Sequence, residues 1–119
     1  MKYAGFDNIV ITGRSNSPVY LWLNDGNAEL KPADHLWGKT IWDTERTIRQ
    51  EHRDNEIRVI GIGPAGENQV KSACIISDRA KAAGGSGVGA VMGSKNLKAI
   101  VARGQQSIQI AKPNRFIKA

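Results

Sequence analysis

The chain is divided into short apolar runs, each ended within a few residues by glycine, asparagine or proline. Such runs are typical of strands, and they cover residues 8–13, 19–23, 28–31, 57–63, 73–76 and 97–102. Two further segments are polar: 32–39 is predicted as a loop or a single helical turn, and 44–51 as a helix capped by Asp43 or Thr44. Runs this short favour an α+β fold with a mixed, largely antiparallel sheet and a few short helices. The 119 residues allow one domain, 1–119.

The composition excludes several classes of protein. Hydrophobic residues make up 40% and charged residues 24%, as in ordinary globular domains. No apolar run reaches the length of a membrane span, and residues 1–7 lack the pattern of a secretory signal. The single cysteine excludes a disulfide framework, a Cys-rich zinc site or an iron–sulfur cluster built from this chain alone. We therefore expect a cytoplasmic location and no membrane partner.

Positive charge is concentrated in the second half of the chain. Residues 61–119 carry nine basic groups against Glu67 and Asp78, a net charge of +7, whereas the whole chain carries +6. Such a field favours anions, including phosphorylated cofactors, nucleic acid and acidic protein surfaces. A solvated basic face without a ligand is the equally open alternative.

Residues 61–66 match the dinucleotide-binding pattern G-x-G-x-x-G, and Asp78 follows the next apolar run. Nine residues, 64–72, separate the two runs, and a parallel crossover needs a dozen or more. The spacing therefore disfavours a nucleotide-binding crossover. It predicts a tight turn that brings Glu67 and Asn68 to a cap or a buried contact.

A second glycine-rich stretch, 82–95, contains five glycines between Ala82 and Gly93. Glycines let the backbone approach a ligand and aim its N–H groups at phosphate oxygens. Lys81, Lys95 and Lys98 flank the stretch and are candidates to neutralise phosphate charge. The spacing is not that of a Walker loop, and a flexible or tightly packed glycine loop remains the alternative.

The remaining chemical side chains indicate no catalytic centre. His35 and His52 have no partner at metal-ligand spacing and are expected at the surface. Cys74 lies in an apolar run and is predicted to be a buried small hydrophobe. The tryptophans are interpreted as core or interface anchors: Trp22, Trp37 and Trp42.

Several segments resemble the N-terminal domain of the aldehyde ferredoxin oxidoreductases, which are tungsten-pterin enzymes. The most specific are Ile62–Asn68 and Gly87–Ile100, the second containing Gly-Ala-Val-Met-Gly-Ser-Lys-Asn-Leu-Lys. Lys2–Asp7, Pro18–Trp22 and His35–Lys39 follow the family's order and spacing. The resemblance covers nearly the whole chain, which is similar to the C-terminal part of that cofactor-binding domain.

The resemblance implies a mixed-sheet base that binds a bis-pterin cofactor carrying tungsten or molybdenum, with Mg²⁺ bridging the pterin phosphates. By position, the Ala82 carbonyl would bind Mg²⁺. The residues implied to contact the cofactor are Lys81, Ala82, Ala83, Gly84, Gly87 and Lys95. Lys81 and Gly85 stand where the family usually has arginine, so any contact made by those guanidinium groups is changed here.

The implied function is that of a fragment or subunit of an aldehyde:ferredoxin oxidoreductase. The complete enzyme would oxidise an aldehyde to a carboxylate and pass electrons through a 4Fe–4S cluster to ferredoxin. This chain would not bind the cluster and is predicted to be inactive without the remaining domains or subunits. Two alternatives are a small basic module for an acidic protein or, less favoured, nucleic acid, and a structural remnant that self-associates into a homo-oligomer.

Overall fold

A six-stranded mixed sheet forms the centre of the computed structural model, which describes residues 1–117. The strands are β1 (Val19–Asn24), β2 (Asn27–Pro32), β3 (Arg58–Gly61), β4 (Ile75–Ser77), β5 (Lys81–Ala83) and β6 (Leu97–Arg103). The helices are α1 (Ile41–His52), α2 (Pro64–Glu67), α3 (Val88–Ser94) and α4 (Pro113–Ile117), and short 3₁₀ turns lie at Lys2–Ala4 and Asp34–Leu36.

The strand order is β2-β1-β6-β3-β4-β5, and only the β1–β6 pair is parallel. This arrangement confirms the predicted α+β class with a mixed, largely antiparallel sheet. The β1–β2 turn has positive φ at Asp25 (45°) and Gly26 (87°), which matches the twist of a two-residue hairpin. Strands β3 and β4 are antiparallel, so the segment between them, residues 62–74, is not the parallel crossover of a nucleotide-binding fold, as expected.

Helix α1 covers one face of the sheet. Its Ile48 packs with Tyr20 of β1, Val59 of β3 and Val101 of β6 in one buried cluster. The helix begins at Ile41, three residues before the predicted start, because the Thr40 hydroxyl caps it by accepting the Asp43 N–H at 3.2 Å. The predicted caps, Asp43 and Thr44, lie inside the helix.

The other face of the sheet is covered by α3 and the N-terminal segment. Met92 packs there with Leu21, Leu23 and Leu97. Ile9 and Ile11 pack against this cluster, but residues 8–13 form no strand, so the strand predicted there is wrong. Within the described part of the chain, their backbone groups form no hydrogen bond to another backbone group. Alternate apolar side chains of this segment are therefore partly buried against the sheet, although its backbone pairs with no strand.

The glycine-rich stretch does not form one continuous loop. Its first part belongs to strand β5 and its last part is helix α3, which contains Gly89 and Gly93 and has Gly87 as its N-cap residue. Neither element was predicted, and both were expected to be loop. The single helical turn expected within 32–39 is confirmed at Asp34–Leu36.

Candidate functional site

The segment implied to bind the cofactor is the outer strand of a small hairpin. Strand β5 pairs only with β4, through Ile75↔Ala83, Ile76↔Ala82 and Ser77↔Lys81. All three residues of β5 are exposed, and Lys81 keeps 82% of its side-chain surface. Because β5 ends the sheet, its outer edge leaves backbone donors and acceptors open to a ligand.

The loop after β5 has one open glycine and one close contact. Gly85 has φ of +86°, and a Cβ placed there would meet no atom within 4 Å. A Cβ on Gly84 would lie 2.9 Å from the Cys74 sulfur, which is only half buried and not the core thiol expected. The loop therefore approaches β4 at Gly84 and faces open space at Gly85.

The later glycines are required by packing inside the protein. A Cβ on Gly93 would overlap the carbonyl oxygen of Gly66, and one on Gly89 would lie 2.6 Å from the Cys74 carbonyl oxygen. A Cβ on Gly87 would overlap the Lys71 carbonyl oxygen. For these positions the tightly packed alternative describes the stretch, because α3 lies directly on the backbone of α2 and residues 71–74.

The three lysines that flank the stretch do not gather around it. Lys81 lies on β5 beside the open loop, but Lys95 follows the last residue of α3, at the end opposite Gly87. The Lys95 ammonium donates a hydrogen bond to the Gly13 carbonyl at 3.1 Å. Sequence reasoning did not single out Lys71, an exposed lysine whose backbone contacts Gly87. Lys71 is separated from the glycines by 12 residues or more, and nothing local marks it.

Lys98 is fully buried, so its expected role in neutralising a phosphate is wrong. Its ammonium forms an ion pair with Glu67 and donates to the Lys39 carbonyl at 2.7 Å. The other Glu67 oxygen accepts the Gly38 N–H at 2.8 Å. Burial lowers the pKa of Lys98, although the Glu67 carboxylate opposes that change. We call this group the Glu67–Lys98 clasp, and it confirms the buried contact predicted for Glu67.

The two histidines do not form a metal centre. His52 stacks on Trp22 with ring centroids 4.1 Å apart and bonds the Tyr20 hydroxyl at 3.0 Å. His35 contacts the Glu51 carboxylate at 2.5 Å. Burial lowers the pKa of His52 and raises that of Tyr20 to about 12, the latter with help from Glu51 and Glu29. Among residues 1–117, no three His, Cys, Asp or Glu side chains converge as metal ligands.

No helix within the described residues is both long enough and apolar enough to cross a membrane.

The tryptophans differ in exposure: Trp22 packs beside the α1 cluster, whereas Trp42 is 51% exposed. Trp22 is therefore an anchor of the core, whereas for Trp42 only the other predicted role, that of an interface anchor, remains.

Together, the mixed sheet and its open β4–β5 hairpin define an α+β domain in which the described residues form no parallel crossover between β3 and β4. The family model described as "Aldehyde ferredoxin oxidoreductase, N-terminal domain" matches residues 1–104. The chain belongs to the aldehyde ferredoxin oxidoreductase family, as the resemblance indicated.

Individual relatives agree with this family. The chain is 48% identical over 117 residues to the tungsten-containing aldehyde ferredoxin oxidoreductase of Pyrococcus furiosus, covering 98% of this chain and 19% of that protein. It is 45% identical over 118 residues to the protein of the same name from Pyrococcus horikoshii, covering 99% and 19%. The chain thus spans about a fifth of the length of these curated relatives.

A solved structure gives the same result for the fold. The active site complex BamBC of benzoyl coenzyme A reductase, in complex with 1,5-dienoyl-CoA, superposes with a TM-score of 0.92 and 43% identity. The match covers 98% of this chain and 18% of that one. The family match and the superposition therefore agree on the fold. The names of these relatives refer to more than one reaction.

Proposed function

We propose that this chain forms part of the cofactor-binding base of a tungsten-pterin aldehyde oxidoreductase. In this proposal the backbone of Lys81–Gly84 contacts the phosphates of a bis-pterin cofactor, and the Ala82 carbonyl binds Mg²⁺. Gly87 and Lys95 complete the implied set. The observation that carries the proposal is the outer edge of β5, which is unpaired and leads into an open glycine loop.

The residues present fit a phosphate group with a bound cation. Mg²⁺ prefers oxygen ligands and shares them with phosphates, and an exposed strand edge offers carbonyl oxygens and N–H groups at short spacing. Lys81 adds a positive charge beside that edge. Gly85 leaves free space beside the backbone, since a Cβ placed there would meet no atom within 4 Å. When bound, the cofactor would supply the redox chemistry of the metal centre, and this chain would supply only part of its binding surface.

The six implied residues are not equal in this proposal. Residues Lys81–Gly84 are contiguous, and all four are exposed. The backbone at Gly87 is fixed by its contact with Lys71, and the ammonium of Lys95 is already bonded to Gly13. Lys81 carries a single point charge where the family usually has the planar guanidinium group of arginine. Lys81 can therefore attract a phosphate but cannot make a bidentate contact with it.

The reaction proposed for the complete enzyme is oxidation of an aldehyde to a carboxylate. Water supplies the second oxygen, and two electrons leave through a 4Fe–4S cluster to ferredoxin. The cluster and the metal ligands would lie on the remaining domains or subunits. Aldehyde-dependent dye reduction by the purified 119-residue chain would contradict this division of roles.

The positive charge of the second half of the chain is partly offset in the folded protein. Ion pairs join Arg79 to Glu45, and Arg103 to Asp54 and Glu56, so three acidic partners come from the first half of the chain. This pairing reduces the field available to nucleic acid, and no contact of the described residues favours the basic-module alternative. Self-association stays a separate proposal, which light scattering would test.

The test of phosphate binding uses Mg²⁺ with inorganic pyrophosphate as the probe. Backbone amide resonances of the 119-residue chain are followed during titration, and we expect saturable shifts confined to residues 81–87. Replacing Lys81 by Ala should weaken binding about fivefold, the size of one exposed charge-assisted contact. Replacing Lys31 by Ala removes the same charge from β2, the strand at the opposite edge of the sheet, and should leave the affinity unchanged. Shifts absent from residues 81–87 would refute the proposal.

A further inference from the structure

The hairpin that carries the proposed cofactor contacts is too small to hold its own position. Strands β4 and β5 have three residues each, and β4 joins the rest of the sheet through two residue pairs with β3, Ile60↔Ser77 and Gly61↔Ile76. Among the described strands β5 pairs with β4 alone, and ladders this short give the hairpin little stability of its own. The connecting turn places Asp78 (φ 48°) and Arg79 (φ 63°) in the left-handed region. The hairpin therefore needs an external anchor to present β5 in one place.

Arg79 supplies that anchor from the tip of the turn. Its Nε donates to Oε2 of Glu45 at 3.0 Å, across 34 residues of sequence. Glu45 lies on α1, with 4% of its side chain exposed. A charge-assisted hydrogen bond to a buried carboxylate is stronger than the same contact at the surface. The tip of the hairpin is thus tied to the helix that covers the sheet.

Glu45 is fixed independently of the hairpin. Its Oε1 accepts Nη2 of Arg49 at 2.6 Å, one helical turn along α1. Arg49 also donates two hydrogen bonds to the Ile57 carbonyl, at 3.0 and 3.2 Å. If Arg79 is removed, Glu45 keeps a charged partner, and no buried carboxylate is left alone. The link between Arg79 and Glu45 can therefore be broken with little damage to the rest of the fold.

A second ion pair at the same turn provides a contrast. Arg58 lies 3.8 Å from Asp78, with 72% and 41% of the two side chains exposed. Exposed pairs at this distance contribute little, because water and salt screen them. Among the described residues, the turn forms two ion pairs with elements outside the hairpin, one with β3 and one with α1. The pair between Arg79 and α1 is the one whose partner carboxylate is buried.

We propose that Arg79 is a positioning residue for the proposed cofactor site, acting through the buried carboxylate of Glu45. It holds the tip of the β4–β5 hairpin against α1 so that the outer edge of β5 stands in the orientation that a phosphate and its Mg²⁺ require. Arg79 itself touches no ligand in this arrangement. The inference rests on the proposed function, because it gives that site its geometry.

The test compares Arg79→Ala with Arg58→Ala, which removes the exposed ion pair from the same turn. In Arg79→Ala we expect amide hydrogen exchange in β4 and β5 to accelerate about tenfold, the size of losing one charge-assisted hydrogen bond. The affinity for Mg²⁺ with inorganic pyrophosphate should fall at least threefold. Arg58→Ala should change neither quantity by more than about twofold. Arg79→Lys keeps the charge without the guanidinium geometry and should recover part of the loss.

A merely structural role would lower the urea midpoint of the whole chain along with hairpin protection. We expect the midpoint of Arg79→Ala to stay close to that of the wild type. Unchanged hairpin exchange in Arg79→Ala, or an equal effect of Arg58→Ala, would overturn the positioning role. An absence of pyrophosphate shifts in the wild-type chain would instead contradict the proposed function, so the two failures are read from different measurements.

Discussion

Two regions of this domain contain glycines and lysines in similar sequence settings but use them in opposite ways. Around the Glu67–Lys98 clasp, the backbones of Gly66 and Gly93 touch and the lysine is fully buried. At the β5 hairpin, Lys81 is exposed and Gly85 faces open space. The first region joins α2, α3 and β6, whereas the second presents backbone to the outside.

The difference shows that residue type does not distinguish a packing glycine from a ligand-approach glycine. What distinguishes them is the atom a side chain would meet. At Gly93 that atom is a carbonyl oxygen of the neighbouring helix, and at Gly85 there is none. Substitutions in the two regions should therefore differ in size and in what they affect, and four measurements follow from this contrast.

The largest effect is expected at the contact between α2 and α3. Gly93→Ala places a methyl group on the Gly66 carbonyl oxygen, so one helix must move. We expect a loss of more than about 3 kcal/mol in the free energy of unfolding, measured by urea denaturation. The matched control is Gly63→Ala, where φ is −93° and no atom lies within 4 Å. Equal stability of the two variants would contradict the close-packing role of Gly93.

Breaking the clasp should rank next. Glu67→Gln leaves the Lys98 ammonium buried without a counter-charge, and we expect a loss of about 3 kcal/mol in urea denaturation. The double variant Glu67→Gln with Lys98→Met removes the unpaired charge and should recover most of that loss. A double variant less stable than Glu67→Gln alone would show that the pair stabilises the fold beyond its own desolvation.

Burial in the packed part of the molecule also predicts a response to alkali. The pKa of Tyr20 is raised from 10.0 to about 12, so the folded chain keeps this proton over a range where the unfolded chain loses it. Its contribution to stability is present below pH 10 and is lost as the pH rises toward 12, amounting to about 2 kcal/mol. In Tyr3→Phe, Tyr20 is the remaining tyrosine, and its absorbance at 295 nm should rise only near pH 12. A rise centred at pH 10 would contradict burial of the hydroxyl.

The smallest effect on stability is expected in the open region. Gly85→Ala meets no atom, but the left-handed φ of +86° costs a side chain about 1 kcal/mol. Pyrophosphate affinity should stay within about twofold of the wild type, because the family usually has a much larger side chain, arginine, at this position. A loss of more than about tenfold would show that the ligand needs the space beside Gly85.

The parts of the fold that follow local rules could be predicted from the sequence. Strands β1 and β2 flank an Asp-Gly turn, and β6 contains the apolar run Ala-Ile-Val-Ala, so all three were expected. Helix α3 was missed because its glycines oppose helix formation, and it is stabilised by packing on α2. Strand β5 was missed because Lys-Ala-Ala has no strand preference, and its pairing comes from the turn at Asp78 and Arg79.

The sequence predicted the segment on which the proposed site rests but not how its side chains are arranged. Glycine and exposed backbone have a local signature, so the glycine-rich stretch could be singled out from the sequence alone. The burial of Lys98 and its ion pair could not be predicted, since its partner Glu67 lies 31 residues away in the sequence. The same holds for Arg79 and Glu45. Long-range ion pairs depend on how the sheet brings distant strands together, and no spacing in the sequence records that.

The position of β6 in the sheet has a consequence for how the domain is made in the cell. This strand lies between β1 and β3, yet it is the last strand of the described chain to leave the ribosome. Until it emerges, β1 with β2 and β3 with β4 are separate hairpins that share no ladder. The contact order is high, since Val19 pairs with Leu97, so sheet closure should be late and slow during synthesis. Apolar strand faces stay exposed through that interval, and a chaperone that shields them would act before β6 arrives.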